Sequence, residues 1–321
     1  MRLRLVPQET SFDFFRYRKV TFGGSLVAMI ASIIIWLTVG LNFGIDFLGG
    51  TTIRTEATSE VSVADYRQAL APLDLGDITI SEVFDPTFEE GQHVAQVRIQ
   101  AQEGQESVTP ETIAAVEDAL RAVDPSITFP SVESVGPKVS GELIQTALLA
   151  VAASLAAILI YIWLRFEWQF SVGAIAALIH DVILTIGVFS LLQIRFDLAT
   201  IAALLTIIGY SINDTVVLFD RLRENLIKFK KTALQEVMNR STNETLSRTL
   251  MTSGTTLLAL LALLILGGDV IRGFVFAIFW GVIVGTYSSV YVAKNVVLML
   301  GLERDPKKPD AGMQVPVGDE S

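Results

Sequence analysis

A carboxylate can take up and release a proton, and Asn213-Asp214 places one inside the membrane-length apolar run from Ile201 to Asp220. A charge at bilayer depth costs about 2.5–3.5 kcal/mol on insertion scales, so an ionisable residue inside a span is a candidate for function. At helical spacing Thr206, Tyr210, Asn213 and Asp214 share one face, which is expected to point into a helical bundle. The competing reading is that Asp214 lies near a helix end, solvated or capping, but the apolar stretch Val216 to Phe219 follows it. His180-Asp181 lies near the middle of another apolar run, where the imidazole can carry protons or hydrogen-bond a neighbouring helix. Arg248 opens a third run and is followed by Thr252, Thr255 and Thr256 on one face. It can pair with a carboxylate or snorkel to headgroups.

The elements that position these groups follow from composition. The chain has 321 residues, 51% of them hydrophobic, and several apolar runs near the length that spans hydrocarbon, about 20 residues. It therefore reads as a polytopic α-helical membrane protein. A net charge of −10 argues against nucleic acid as a partner. Cysteine is absent, so there is no disulfide or thiolate metal site, and no Gly-x-x-x-x-Gly-Lys-Ser/Thr loop or His-Glu-x-x-His motif is present. No cofactor, metal or catalytic residue is called for. Asp181 and Asp214 could nominally serve an intramembrane protease, but no protease signature accompanies them. The remaining source of work is a transmembrane proton gradient, worth about 2.3 kcal/mol per charge per 100 mV.

Residues 1–19, with Arg2, Arg4, Arg16, Arg18 and Lys19, precede a first span at 20–40 and are placed in the cytoplasm by the positive-inside rule. That run is too long for a signal-peptide core and lacks a good cleavage site. Residues 41–142 are then external. Their pattern predicts strands at 51–57, 78–84, 93–101 and 127–132 and helices at 63–70 and 110–123, the βαββαβ order of a ferredoxin-like α+β domain. Such a unit is expected to start and end with central, neighbouring strands. Residues 143–300 supply five more spans, with a basic cytoplasmic loop from Arg221 to Lys231, and 301–321 read as a disordered cytoplasmic tail. Gly281-x-x-x-Gly285 permits close helix contact.

Several motifs occur in an order that resembles the SecF family of the bacterial Sec protein-export machinery. They are Gly44-Ile-Asp46-Phe-Leu-Gly49-Gly50-Thr51, Val135-Gly136-Pro137-Lys-Val-Ser-Gly141, His180-Asp181, Tyr210-Ser-Ile-Asn213-Asp214-Thr-Val-Val217 and Ser247-Arg248-Thr-Leu-Met-Thr-Ser253. The resemblance implies a SecD partner, work alongside the Sec channel (SecYEG), and a proton-driven role in pulling or releasing unfolded preproteins at the outer face of the bacterial inner membrane. It also implies kinship with resistance-nodulation-division exporters, whose twelve spans fall in two halves, so that this chain would be one half. By the same resemblance Asp214 matches a proton-pathway aspartate and Arg248 the arginine that works with it. The alternative function is half of a proton-coupled small-molecule exporter, and a purely structural scaffold would leave Asp214 without a task.

Overall fold

The computed structural model describes residues 10–60, 62–83, 88–89, 91–101 and 108–302. Arg2, Arg4 and the proposed tail beyond Leu302 lie outside the described residues. Among the described residues six helices are long and apolar enough to cross a membrane. They are α1 (Arg18–Val39), α5 (Pro137–Arg165), α6 (Trp168–Leu192), α7 (Leu198–Lys228), α8 (Leu234–Leu266) and a sixth that runs from Asp269 to Leu300. The sixth is α9 (Asp269–Ser288), a π-helical turn at Ser289–Ala293, and α10 (Lys294–Leu300).

Two helices start earlier than the apolar runs that announced them. Pro137, rather than Leu143, begins α5, because proline suits the first helical position, where no backbone donor is required. Leu234, rather than Leu246, begins α8, whose polar first turns are buried against α7 through Asn225 and Ser241, 3.0 Å apart. Hydrogen bonding along a helix has no reason to stop where hydrocarbon does.

Between α1 and α5 lies a small sheet domain built from β2 (Gly50–Ala57), α3 (Val63–Leu70), β3 (Ile78–Val83), β4 (His93–Gln100), α4 (Pro110–Val123) and β5 (Thr128–Val135). The strand order is β3-β4-β2-β5, with every pair antiparallel. This is the ferredoxin-like arrangement the pattern predicts. Thr109 caps α4 by accepting from the Thr112 amide at 3.2 Å, with Pro110 at the first helical position. The register sets Ile53 opposite Val97 and Val132. Period-two alternation then sends Ile53, Ala95, Val97 and Ile99 into a core closed by Tyr66 and Leu70 of α3 and Val116 and Leu120 of α4. The first and last strands do pair, but β5 is an edge strand and not a central one, because the crossover through α4 carries the chain beyond β2.

This core is complete within the domain, so a fragment covering 50–135 should unfold cooperatively. Leu120 is fully buried, and Leu120→Ala should destabilise the fragment by about 2–5 kcal/mol in urea titrations followed by circular dichroism. A broad, non-cooperative transition in the unsubstituted fragment would show that the domain depends on the bundle.

Residues 42–48 do not join that domain. β1 (Asn42–Phe43) pairs in parallel with β6 (Arg195–Phe196), in the connection between α6 and α7. With α2 (Ile45–Leu48), it seats Phe43 and Phe47 against Phe196, at ring-centroid distances of 5.9 and 5.8 Å. A two-residue strand carries no periodicity to read, and its partner lies far away in sequence.

Candidate functional site

Asp214 is buried on α7, and among the described residues its Oδ2 has no hydrogen-bond partner. The other residues of its predicted face do not follow it inward. Thr206 and Asn213 are exposed, and Tyr210 is half-buried with its hydroxyl 3.4 Å from Ser253 Oγ. The reason is that α7 lies at the margin of this bundle. Its opposite side is pressed against α9, where a Cβ on Gly281 would lie 2.3 Å from Ile207 and one on Gly285 3.1 Å from Ser211. The Gly-x-x-x-Gly pair is thus the α7–α9 contact.

Arg248, on α8, is exposed. It makes no ion pair with Asp214 within 4.0 Å. Thr252 and Thr255 are exposed beside it on the same helix. The outer surface of α7 and α8 therefore carries a polar strip made of Thr206, Asn213, Arg248, Thr252 and Thr255.

His180 and Asp181 on α6 are each 1% exposed. Asp181 is a hub: Oδ2 accepts from Ser211 Oγ of α7 at 2.6 Å and from Ser288 Oγ of α9 at 2.9 Å, and Oδ1 meets His180 Nδ1 at 3.0 Å. With an ionised Asp181 the last contact requires the proton on Nδ1. His180 Nε2 has no partner, and the imidazole stacks on Tyr287 at 6.1 Å between centroids. Ser211 lies three residues before Asp214 on α7, so one helix carries both the carboxylate and a hydroxyl held by Asp181. Sequence had left the two acidic pairs unconnected. A serine inside an apolar run offers no signal that would have joined them.

Lys294 escaped that reading too, although the criterion that found Asp214, an ionisable side chain inside an apolar run, applies to it. It is 1% exposed, donates to Thr242 Oγ1 at 3.2 Å, and lies over the rings of Phe14 and Phe15 at 4.5 and 4.6 Å. Asn243 and Asn239 accept from the Phe12 and Phe14 amides, both at 2.9 Å, pinning this N-terminal segment on α8.

At the end of the bundle nearer the sheet domain, the glycine-rich motif becomes a joint. Gly44 donates to Phe196 O at 2.8 Å, and Asp46 Oδ2 accepts from the Leu198 amide at 3.1 Å, at the start of α7. Asp197 caps the same helix through the Thr200 amide at 2.9 Å. Gly136 precedes Pro137 at the start of α5, and Ser140 Oγ donates to Ile45 O at 3.2 Å. Gly49 has φ +71°, and a Cβ there would lie 3.3 Å from Val135 O and Pro137 N. Gly50 is the most constrained, with φ +125° and a hypothetical Cβ only 2.3 Å from Ile99 O. Gly50→Ala must move a strand backbone as well as adopt a strained φ, so the sheet domain should lose more than the roughly 1–3 kcal/mol of backbone strain alone, read as a lower urea midpoint for the 50–135 fragment.

Residues 115–303 match the family described as protein export membrane protein SecD/SecF, C-terminal, and residues 34–61 match the SecD/SecF GG motif. Protein translocase subunit SecF of Cereibacter sphaeroides is 67% identical over 310 residues, covering 97% of this chain and 96% of that protein. The chain belongs to the SecF family. Protein translocase subunit SecF of Rhodobacter capsulatus is 63% identical over 96% of this chain and 95% of its own length. Among solved structures, SecDF of Thermus thermophilus, a translocon-associated membrane protein, superposes with a TM-score of 0.82 at 37% identity. That match covers 94% of this chain but 40% of the Thermus polypeptide, so this SecF-family chain spans well under half of its length.

Proposed function

We propose that the chain works in the bacterial inner membrane as a proton-driven accessory subunit of the Sec translocase, paired with SecD and acting on preproteins that emerge from the SecYEG channel. The observation that carries this reading is the pairing of an unpartnered buried carboxylate, Asp214, with an exposed polar strip at mid-span. Polar and charged groups facing lipid are costly, so the strip calls for a second set of helices to cover it. The Thermus SecDF chain, of which this chain matches 40%, has room for such a set.

Orientation follows from the cations. Arg16 precedes α1, Arg18 and Lys19 open it, and Arg221, Arg223, Lys228, Lys230 and Lys231 cluster where α7 ends, at the same end of the bundle. That end belongs in the cytoplasm, with the sheet domain outside. In this arrangement a proton arriving at Asp214 neutralises it and frees it from the field of Arg248. His180 and Asp181 supply a relay, with Ser211 as the hydroxyl between Asp181 and α7. A shift of α7 is felt at its other end, where Asp46 of α2 accepts from the Leu198 amide in its first turn and α2 leads through Gly49 and Gly50 into the sheet domain.

The described chain has no cysteine, which makes cross-linking clean. A cysteine at Asn213 or Thr255, on the exposed strip, should form disulfide adducts with cysteines scanned along the spans of SecD in membrane vesicles, while one at the fully buried Ile162 should form none. If the strip positions react only with lipid-soluble maleimide and never with SecD, the pairing is wrong.

A further inference from the structure

Beside the joint, a cavity of about 350 Å³ opens between the sheet domain and the nearer end of the bundle. Three arginines from separate elements line it: Arg98 of β4, Arg195 of β6 and Arg272 of α9. Among the described residues its carboxylates are Asp197, 3.3 Å from Arg195, and Asp269, 3.7 Å from Arg272. Arg98 makes no ion pair among those residues, and its hydrogen bonds there go to neutral groups, Asn42 Oδ1 at 3.3 Å and Phe43 O at 3.2 Å. Burial, then the repulsion of Arg195, hold the Arg98 guanidinium below its ordinary pKa, with Asp197 acting only in the opposite sense. A half-buried cation in that position favours an anion beside it.

The cavity wall also includes Leu264, Phe274 and the exposed Val270, and close to them in the chain Leu266 and Ile271 are exposed at the α8–α9 turn. A polar mouth that carries the Arg98 guanidinium above an apolar lip suits a phospholipid at the water–hydrocarbon boundary. Free phosphate would use the arginines and leave the lip bare. We propose that this cavity binds the phosphodiester of a membrane phospholipid, with Arg98 as the principal contact and the acyl chains lying along Leu264 and Val270. Arginine suits this role because its planar fork presents paired donors to phosphate oxygens. A lipid seated there would bridge β4 to α9 and couple the sheet domain to the membrane surface independently of the glycine joint.

The test uses the full-length chain in detergent, analysed by native mass spectrometry against dioleoyl phosphatidylglycerol, dioleoylglycerol and inorganic phosphate. One phosphatidylglycerol should be retained at collision energies that strip dioleoylglycerol, which lacks the phosphate. Arg98→Gln and Arg272→Gln should each weaken that retention by roughly tenfold or more, the loss expected for a charge-assisted contact. Arg121→Gln, on the outer face of the sheet domain, should not. Arg98→Lys should recover part of the affinity, since it keeps the charge and loses the fork. Thermal melts of each variant separate lost binding from lost folding, and an Arg98→Gln or Arg272→Gln protein that melts like the parent yet holds lipid equally well overturns the proposal. So does retention of inorganic phosphate, with displacement of the lipid by it at equal concentration.

Discussion

Asp214→Asn is expected to leave the chain inserted and bound to SecD while abolishing the stimulation of export by the proton gradient. Asparagine keeps the size of the side chain and cannot titrate, so the substitution removes one property of the site. Because Asp214 Oδ2 has no hydrogen-bond partner, little structure depends on it. One charge crossing 100 mV releases about 2.3 kcal/mol, enough to bias a conformational equilibrium roughly fiftyfold, and that bias is what the variant should lose. Arg248→Met should also uncouple, by removing the field that lets Asp214 give up its proton. If the two residues act in one step, the double variant should be no worse than either single one in export assays with and without a gradient. Additive losses would show separate roles, and full gradient-dependent export by Asp214→Asn would falsify the mechanism.

The second large effect contrasts the two buried carboxylates. Asp181→Leu removes an acceptor used by Ser211 on α7, Ser288 on α9 and His180 beside it on α6. Each buried group left unpaired costs about 1–3 kcal/mol, so the apparent melting temperature of the purified chain should fall sharply. Asp214→Leu should leave that temperature unchanged or raise it, since it replaces an unpartnered buried polar group with an apolar one. Differential scanning fluorimetry in one detergent compares them directly. Equal losses in both variants would mean that Asp214 holds the bundle together and is not free to titrate. Asp181→Asn separates the roles of the hub: an amide can still meet the serine hydroxyls, so a stable Asp181→Asn protein without gradient-driven export would place Asp181 in the proton path.

Much of this was legible from residue order. Membrane-length apolar runs announce spans because every backbone polar group in hydrocarbon must be satisfied within its own helix, which makes local sequence sufficient. Alternation in residues 51–57 and 93–101, with helix-start signals at Thr109 and Pro110, announced the sheet domain for a similar local reason. Asp214, Arg248 and His180-Asp181 stood out because ionisable groups are expensive at that depth. The glycines at 44, 49 and 50 were visible as a motif, though not as the joint they form.

What the sequence determined by itself was the number of spans, the βαββαβ order and the identity of the costly side chains, all of which depend on neighbours a few residues apart. Tertiary structure decided the rest. It turned Asn213 and Thr206 outward while Asp214 stayed buried, because α9 approaches α7 through Gly281 and Gly285 and leaves the other side uncovered. It joined Asp181 to α7 through Ser211, paired β1 with β6, set β5 at the sheet edge and gathered Arg98, Arg195 and Arg272 around one cavity. Each of these juxtaposes residues far apart in the chain, and hydrophobic periodicity records which face of an element is buried but not which partner buries it.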